Sequence, residues 1–438
     1  MNSTTPIDTE VLIVGAGPAG LTLAIALARA GHPPLIVDRL AASQNTSRAA
    51  VIHAHTLEEL DGLGVASRLI QAGLRLSRFS IRDRNRVLTR LRFDRLPSPH
   101  PLLLMLPQDR TEAILAEALE EAGESVQWNC AVESLCETSA GVEATLRTPE
   151  GARVVRARYV IGADGMQSLV RQTAGIGFAG HQFEDSFVLA DVELEGNAGH
   201  DEVMLFFSPP GPVVVAPLPG GRFRVVATLD PAPDHVGASD IQHLLDTRGP
   251  EGRGVRVTAV RWSSRFRIHH RVADRYRRGR YFLVGDAAHV HSPAGGQGMN
   301  TGIVDACVLG KLLPEVLAGR KEESYLDGYE VLRRPAANRV LALTGRLTSA
   351  AMLKNPVARA CRNFAFGLIG RFPPMRRQLE GNLSGISRRA AARVSALKAG
   401  PGSAEHGAEG ARHGSPSGDW GRSSIPQGTP AGGTTPQR

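Results

Sequence analysis

Three glycines near the amino terminus have the spacing that points most directly to chemistry. Gly15, Gly17 and Gly20 stand in the segment GAGPAG, directly after the apolar run Val11–Val14. In a G-x-G-x-x-G turn between a strand and a helix, backbone N–H groups can approach a pyrophosphate, whose charge the helix amino terminus attracts. Asp38 ends the next apolar run, where a carboxylate can accept hydrogen bonds from a ribose. The pattern predicts a dinucleotide site without distinguishing FAD from NAD.

Two further motifs place a carboxylate and a glycine at the end of a predicted strand. Asp164-Gly165 follows one short apolar run, and Gly285-Asp286 follows another more than 100 residues later. The second motif leads into SPAGGQGMN (Ser292–Asn300), whose glycines free backbone N–H groups at the start of a predicted helix. Such a helix start suits an anion or the electron-rich edge of a reduced flavin.

The elements that must position these motifs are of two kinds. Short, nearly continuous apolar runs such as Tyr159–Ile161 and Tyr281–Val284 are typical of strands buried in a parallel sheet. Between Val188 and Trp262, five β-rich segments separated by Gly, Pro and Asp predict an antiparallel sheet. Phe79–Phe93 predicts a hairpin that turns near 83–85. Residues 346–397 contain two stretches, the second being 387–397, that predict amphipathic helices.

In this order, the three motifs resemble those of the class A flavoprotein monooxygenases, the family of the phenolic and aromatic polyketide hydroxylases. The resemblance covers about residues 8 to 345. It implies that the GAGPAG turn and Asp38 hold the adenosine half of FAD, that Asp164-Gly165 contacts FAD and NAD(P)H, and that Asp286 holds the ribityl or ribose region.

Other segments also resemble the family's cofactor contacts. The segment around Arg48 is similar to its flavin-contacting arginine segment, Gln108 resembles a glutamine that touches the flavin, and Pro293 with Gly295–Asn300 matches the loop under the isoalloxazine ring. His55 stands where arginine is common in the family. The residues expected to contact the cofactor are Gly15, Gly17, Pro18, Ala19, Gly20, Asp38, Arg39, Arg48, Gln108, Asp164, Gly165, Gly285, Asp286, Pro293, Gly295, Gly296, Gln297, Gly298, Met299 and Asn300.

The resemblance implies an FAD-dependent, NAD(P)H-consuming monooxygenase that hydroxylates a phenolic or polycyclic aromatic substrate with dioxygen, through a flavin hydroperoxide. An epoxidase, a Baeyer–Villiger enzyme, a reductase or a non-catalytic FAD protein that sequesters an intermediate would share every motif. No residue pattern identifies the catalytic group: His289 and His291 could serve in acid–base chemistry or in packing. The pair His269-His270 lacks metal-ligand partners at suitable spacing, so we expect no metal site.

The predicted fold is α/β: a Rossmann-like FAD-binding domain interrupted by an antiparallel β-sheet substrate domain, with a C-terminal helical extension. The FAD-binding domain covers 1–175, with 79–105 contributing to the substrate sheet, and resumes at 271–345. The substrate domain covers 176–270 and the helices cover 346–397. Because the tail at 398–438 is rich in glycine and proline and poor in large apolar side chains, we expect it to be disordered.

Composition narrows the function classes further. The 438 residues carry a formal net charge of +8, but the arginines are dispersed and only 5% of residues are aromatic, which disfavours a nucleic-acid partner. Four widely separated cysteines without a C-x-x-C pair disfavour a disulfide scaffold, so a reducing, cytoplasmic location is expected. The apolar stretch 11–28 contains three glycines and a proline, which favours a strand, turn and helix over a transmembrane segment.

Overall fold

The computed structural model describes residues 8–43, 49–229, 236–252 and 254–397, apart from the side chains of 183–185 and 396. Arg48 and the tail at 398–438 lie outside the described residues. The strands are β1 (Thr9–Val14), β2 (Leu35–Val37), β3 (Val51–His53), β4 (Leu74–Leu76), β5 (Arg78–Asp83), β6 (Arg86–Arg92), β7 (Leu103–Met105), β8 (Ala131–Glu137), β9 (Val142–Thr148), β10 (Gly151–Gly162), β11 (Phe178–Glu195), β12 (Glu202–Ser208), β13 (Gly211–Pro217), β14 (Arg222–Thr228), β15 (Arg256–Ala273), β16 (Arg277–Arg278), β17 (Tyr281–Leu283) and β18 (His289–Val290). The helices are α1 (Pro18–Arg29), α2 (Ala54–Asp61), α3 (Ala66–Ala72), α4 (Gln108–Glu121), α5 (Leu169–Thr173), α6 (Ala238–Arg248), α7 (Gly298–Leu317), α8 (Gly328–Ala351), α9 (Pro356–Arg371) and α10 (Pro373–Leu383).

The first sheet, which we call the central sheet, has seven strands around a parallel core. Its order is β16-β17-β10-β1-β2, and the antiparallel pair β8-β9 extends it from β10. Strands β17, β10, β1 and β2 run parallel. Val11, Leu12 and Ile13 have no exposed surface, as a continuous apolar run predicts for a strand covered on both faces. The parallel arrangement brings the carboxyl ends of these strands to one edge.

The second sheet has eight strands in the order β18-β15-β11-β14-β13-β12-β5-β6. All neighbours are antiparallel except β12 and β5, which run parallel. The five β-rich segments predicted between Val188 and Trp262 are strands of this sheet, and β5 and β6 form the hairpin predicted near 83–85. Arg84 has a φ of +52° at that turn. A small third sheet, β3-β7-β4, completes the strand pairing of the described residues.

The helices cover both sheets. α1 and α7 pack against each other in the apolar core of the central sheet, while α9 and α10 contact β6 of the eight-stranded sheet. Leu383 of α10 is 5% exposed and belongs to an apolar cluster with Leu91 and Phe93. Among the described residues, no helix is both long and apolar enough to cross a membrane.

The structure differs from three sequence-based expectations. The boundary expected at 345/346 falls inside α8, which continues to Ala351. Gly345 lies within this helix, where a Cβ atom would be 3.0 Å from His270. The boundary expected at 270/271 falls inside β15, which pairs with β11 up to Ala273. The helix predicted over 387–397 is instead two 3-10 segments, Ile386–Ala392 and Val394–Ala396, since arginines of this segment bond to side chains on other elements.

Candidate active site

The three sequence motifs meet at the carboxyl edge of the central sheet. Gly15, Asp164 and Gly285 follow β1, β10 and β17, which are adjacent parallel strands. The backbone ties the strand ends together, since Ala163 N donates to Val14 O at 2.8 Å and Val284 N donates to Gly162 O at 3.0 Å. In open α/β sheets, ligands bind in the crevice outside such an edge.

The three glycines of the first turn differ in the space around them. Gly15 has a φ of +106°, and a Cβ atom there would overlap the backbone of Ala163. A Cβ atom at Gly20 would overlap the carbonyl of Gly15. At Gly17, by contrast, a Cβ atom would meet no protein atom within 4 Å. Gly15 and Gly20 are therefore required by the packing of the chain itself, whereas Gly17 borders open space.

The amino terminus of α1 faces that open space with its polar groups available. Gly17 is the N-cap residue and has no side chain to accept from the first turn, and Pro18 pre-forms the turn without an N–H group. Asp38 supports the turn from β2: its Oδ2 accepts from Ala16 N at 2.8 Å and its Oδ1 from Leu40 N at 2.9 Å. Arg39 next to it is exposed.

The second motif is held by its own helix and by a buried arginine. Asp164 Oδ2 accepts from Leu169 N at 2.7 Å at the start of α5, and burial raises the pKa of this carboxyl above its ordinary value. Asp164 Oδ1 is buried and has no hydrogen-bond partner among the described residues. Arg171, 5% exposed, donates to Met166 O at 2.7 Å and to Ala287 O at 2.8 Å. Arg171 thus connects the second motif to the third.

The third motif is a 3-10 turn packed against the first. Gly285 has a φ of +60°, and a Cβ atom there would be 3.2 Å from the Cβ of Ala19. Gly302 of α7 lies on the other side, so a Cβ atom there would be 2.9 Å from Gly285 Cα. The Asp286 side chain is exposed at the same edge of the sheet. Close packing of glycine and alanine therefore brings the first and third motifs into contact.

The glycine-rich loop leads into α7 and contacts β3. Gly296 N donates to Pro293 O at 2.8 Å, and both Gly295 and Gly296 have positive φ angles. Asn300, 4% exposed, donates to Val51 O at 2.9 Å and accepts from His53 N at 2.8 Å. Gln297 is the N-cap residue of α7 but provides no side-chain cap. The N–H groups of Gly298 and Met299 therefore begin an uncapped helix.

Gln108, the first residue of α4, connects this helix to the segment before β3. Gln108 Oε1 accepts from Ala49 N at 3.2 Å, and Gln108 Nε2 donates to Glu112 at 2.8 Å. The structure thus brings Gln108 to the segment that follows Arg48 in the chain. From the eight-stranded sheet, Arg224 of β14 donates to Ala49 O at 2.9 Å. Arg224 also forms a two-pronged ion pair with Asp191 of β11 at 2.7 and 2.8 Å.

A buried ionic network lies behind the third motif. His289 Nε2 is 2.7 Å from Asp305 Oδ2, and Arg333 Nε donates to Asp305 Oδ1 at 2.7 Å. Although burial raises the pKa of Asp305, Arg333 and His289 hold it below its ordinary value. Gly285 N also donates to Asp305 Oδ2 at 3.3 Å. His289 has no exposed surface and belongs to this network.

Two other histidines near the loop are neutral at physiological pH. Burial lowers the pKa of His291 to about 3, and its Nδ1 lies 2.9 Å from Ser292 O. Burial also lowers the pKa of His53 to about 4, although its Nε2 lies 2.8 Å from Gly295 O. These side chains therefore contribute polarity, but no positive charge, beside the loop.

Sequence analysis missed the arginines that hold the motifs together. Arg171 follows the Asp164-Gly165 motif by a few residues and Arg333 follows Asn300 by 33, but nothing in their spacing identified their partners. Arg388, which donates to Gln297 Oε1 at 2.6 Å, lies 91 positions away from it. Only a signal that couples distant positions could have revealed this contact.

Comparison with known proteins identifies the family. The profile described as "FAD binding domain" matches residues 8–344. The chain is 36% identical over 377 residues to 6-methylpretetramide 4-monooxygenase of Streptomyces rimosus, covering 85% of this chain and 67% of that protein. It is 34% identical over 349 residues to pentachlorophenol 4-monooxygenase of Sphingobium chlorophenolicum, covering 76% and 63% respectively. The chain thus spans about two thirds of the length of these relatives.

A solved structure agrees with these matches. The p-nitrophenol 4-monooxygenase of Pseudomonas putida DLL-E4 has a TM-score of 0.78 and 25% identity, over 88% of this chain and 98% of that one. The predicted resemblance and fold class are therefore confirmed. The chain belongs to the FAD-binding family of the class A flavoprotein monooxygenases, the aromatic hydroxylase type.

Proposed function

We propose that this protein uses FAD and NAD(P)H to hydroxylate a phenolic or polycyclic aromatic compound with one atom of dioxygen. The observation that carries the proposal is the convergence of three motifs on one sheet edge, where Gly17 borders open space. Its chemistry is that named for the relatives, which are monooxygenases of a polycyclic and of a phenolic compound.

The residues at this edge fit FAD. The open space at Gly17 and the uncapped start of α1 suit the pyrophosphate, and Asp38 stands beside it for the adenosine ribose. Asp286 is exposed at the adjacent strand end for the ribityl chain. The buried, unpartnered Oδ1 of Asp164 is a further acceptor at the same edge. In this proposal the start of α7, at Gly298–Asn300, receives the flavin ring.

Four further residues complete the proposed cofactor set. Gly165 borders open space like Gly17, since a Cβ atom there would meet no protein atom within 4 Å. Gln108 reaches the segment after Arg48, and Arg39 is exposed beside Asp38. The role proposed for Arg48, a pyrophosphate or NAD(P)H contact, rests on the sequence resemblance alone.

An apolar cluster beside the loop is the place that we propose for an aromatic substrate. The cluster that contains Leu383, whose Cδ2 would be 2.8 Å from a Cβ atom on Gly295, also contains Met105 and Ala216. Partly buried members of this cluster are Val51 of β3 and Val214 of the eight-stranded sheet. We place the substrate ring between these two elements, where burying its apolar area favours binding.

Bound FAD would be the group that reacts with NAD(P)H and with dioxygen. The protein would position the reactants and exclude water. Uncapped N–H groups at Gly298 and Met299 would stabilise negative charge on the ring edge that they face. The apolar cluster around Leu383 would keep water from the reacting atoms. Arg171, which donates to Ala287 O, and Arg333, which donates to Asp305, would hold the motifs in place.

The test measures the fate of oxygen. The FAD-loaded protein is mixed with NADPH, or with NADH, under ¹⁸O-labelled dioxygen, together with simple phenols or with polycyclic phenols. We expect an aromatic ligand to accelerate NAD(P)H oxidation and one labelled oxygen atom to enter the product. A reduced product without label would instead indicate a reductase, and an unchanged bound ligand would indicate sequestration.

A glycine pair supplies the matched control. A Cβ atom at Gly298 would lie 3.9 Å from His291, the nearest protein atom that it meets, so the protein can accommodate it. We therefore expect Gly298→Val to lower turnover far more than FAD content. Gly367→Val in α9, where a Cβ atom meets nothing within 4 Å, carries the same change away from the site. Equal turnover in both variants would contradict the placement of the flavin ring at α7.

A further inference from the structure

A small cavity lies behind the glycine-rich loop, on the side of α7 that faces the 3-10 segment Ile386–Ala392. Its volume is about 20 Å³, and its walls include His55, Asn300, Thr301, Arg333 and Arg388. Among the described residues that line it there is no carboxylate. A cavity of this size holds one water molecule or one ion of similar size.

Arg388 brings an unbalanced positive charge to this cavity. Its guanidinium donates to Asn382 O at 2.8 Å and to Gln297 Oε1 at 2.6 Å, both of which are neutral acceptors. In the described part of the chain, no carboxylate lies within ion-pair distance of it. Burial, Arg333 and Arg339 lower the pKa of Arg388 to about 10, so the side chain stays charged at neutral pH.

The other charges near the cavity are paired, apart from that of the exposed Arg339. Arg333 is bound to Asp305 at 2.7 Å, and Glu58 is bound to Arg389 at 2.7 Å. His53, which also lines the cavity, has its pKa lowered to about 4 and is neutral. Among the described residues that line the cavity, the charge without a counter-charge is therefore that of Arg388. A charge removed from water is costly unless a counter-charge or several hydrogen bonds compensate it.

Unused polar groups face the same space. The hydrogen bonds to Asn382 and Gln297 use two of the five N–H donors of Arg388, and Nε2 of His55, a residue 5% exposed, has no hydrogen-bond partner among the described residues. His55 Nδ1 lies 3.5 Å from Glu58 Oε2 on the other side of the ring. An acceptor in the cavity would satisfy the remaining donors of Arg388 and would accept from His55 in the tautomer that carries the proton on Nε2, and an acceptor of charge −1 would also balance Arg388.

We propose that this cavity is a binding site for a small monovalent anion of chloride size, held by the Arg388 guanidinium and His55 behind the flavin-facing loop. The site adjoins the proposed flavin position, because Gln297 and Asn300 belong to its walls, while its other walls come from β3, α2, α8 and the C-terminal segment. Since Arg388 also holds Gln297, anion binding would stabilise the loop conformation.

Bromide provides the direct test, because its anomalous scattering distinguishes it from water. Crystals of the FAD-loaded protein are soaked in sodium bromide or, as a control, in sodium gluconate. We expect an anomalous peak beside Arg388 in the bromide crystals and none in Arg388→Met. Arg393→Met, which removes an exposed arginine of the same segment, should retain the peak. A wild-type cavity that is empty or holds only water would overturn the proposal.

A solution measurement covers the case in which Arg388→Met does not fold or crystallise. The melting temperature is recorded against bromide concentration at constant ionic strength, with gluconate as the replaced anion. The wild type and Arg393→Met should show a saturable rise, because a ligand that binds only the native state stabilises it. Arg388→Lys, which keeps the charge but loses the two-pronged geometry, should need at least tenfold more bromide. The same dependence in all three proteins would refute the site.

Discussion

At the scale of single residues, substitutions at two glycines of the GAGPAG turn should have separate effects on stability and on FAD binding. Gly17→Ala places its methyl group where no protein atom lies within 4 Å, at a φ of −73° that alanine readily adopts. We expect an unchanged melting temperature for the apoprotein and FAD affinity at least tenfold weaker, because the methyl group would meet the phosphates. A flavin fluorescence titration measures the affinity.

Gly20→Ala is the matched comparison. Its methyl group would overlap the carbonyl of Gly15, so the protein itself must distort, and we expect a lower melting temperature for the apoprotein. If Gly17→Ala lowered the melting temperature as much as Gly20→Ala, the space beside Gly17 would not be a ligand site.

The buried histidines predict a stability that falls in mild acid. His53 and His291 have folded-state pKa values of about 4 and about 3, below the ordinary value of 6.5. As the pH falls from about 6.5 to about 4, these histidines bind protons in the unfolded chain but not in the folded chain. The free energy of unfolding therefore decreases. Each histidine contributes a slope of up to ~1.4 kcal/mol per pH unit in this window.

The variant His53→Gln removes one of these groups. We expect the melting temperature of His53→Gln to change less between pH 6.5 and pH 4.5 than that of the wild type. His243→Gln, at an exposed position of α6, should keep the wild-type slope. Identical slopes in all three proteins would show that His53 is protonated in the folded state.

At the scale of elements, the C-terminal helices pack with one side and leave the other exposed. Leu383 at the end of α10 is 5% exposed, and its carbonyl accepts from Gln297 at 2.9 Å, whereas Phe364 of α9 is 70% exposed. α10 therefore supports the glycine-rich loop, although it lies more than 80 positions further along the chain.

Leu383→Ala tests this support. Removing a buried leucine side chain leaves a cavity and costs about 2–5 kcal/mol. We expect a clearly lower melting temperature together with weaker FAD binding, since Gly295 loses its contact. Phe364→Ala removes a larger apolar side chain from an exposed position and should change neither quantity measurably. Loss of stability in both variants would mean that α9 is covered in solution.

At the scale of the whole molecule, a buried ion pair links the eight-stranded sheet to the segment before β3. Arg224 and Asp191 are 3% and 5% exposed on the eight-stranded sheet, and Arg224 reaches Ala49 O in the segment before β3. Arg224→Met leaves Asp191 buried without its cation, which costs about 3–5 kcal/mol. We expect a lower melting temperature and weaker FAD binding, measured on the purified variant.

The double variant Arg224→Met, Asp191→Leu separates the two effects. Replacing both charges by apolar side chains restores most of the stability, because no unpaired charge remains buried. The hydrogen bond to Ala49 is still missing, so FAD affinity should stay reduced. Full recovery of the melting temperature and of the FAD affinity would show that Arg224 does not position the segment before β3 for FAD binding.

The sequence by itself determined the motifs whose geometry is local. A glycine turn between an apolar run and a helix, or a carboxylate at a strand end, is specified by consecutive residues, so GAGPAG, Asp164-Gly165 and Gly285-Asp286 could be recognised one by one. Their meeting at one edge also follows, since parallel strands place their carboxyl ends together. The hairpin near 83–85 was equally local.

The tertiary structure alone decided the contacts between distant positions. Nothing near Gly345 in the sequence indicates that it lies inside α8 and packs against His270. Arg388 meets Gln297, and Arg224 meets Ala49, only once separate elements have packed. A guanidinium can reach many acceptors from any one position, so its sequence neighbours do not specify its partner. Packing of the helices and sheets selects that partner.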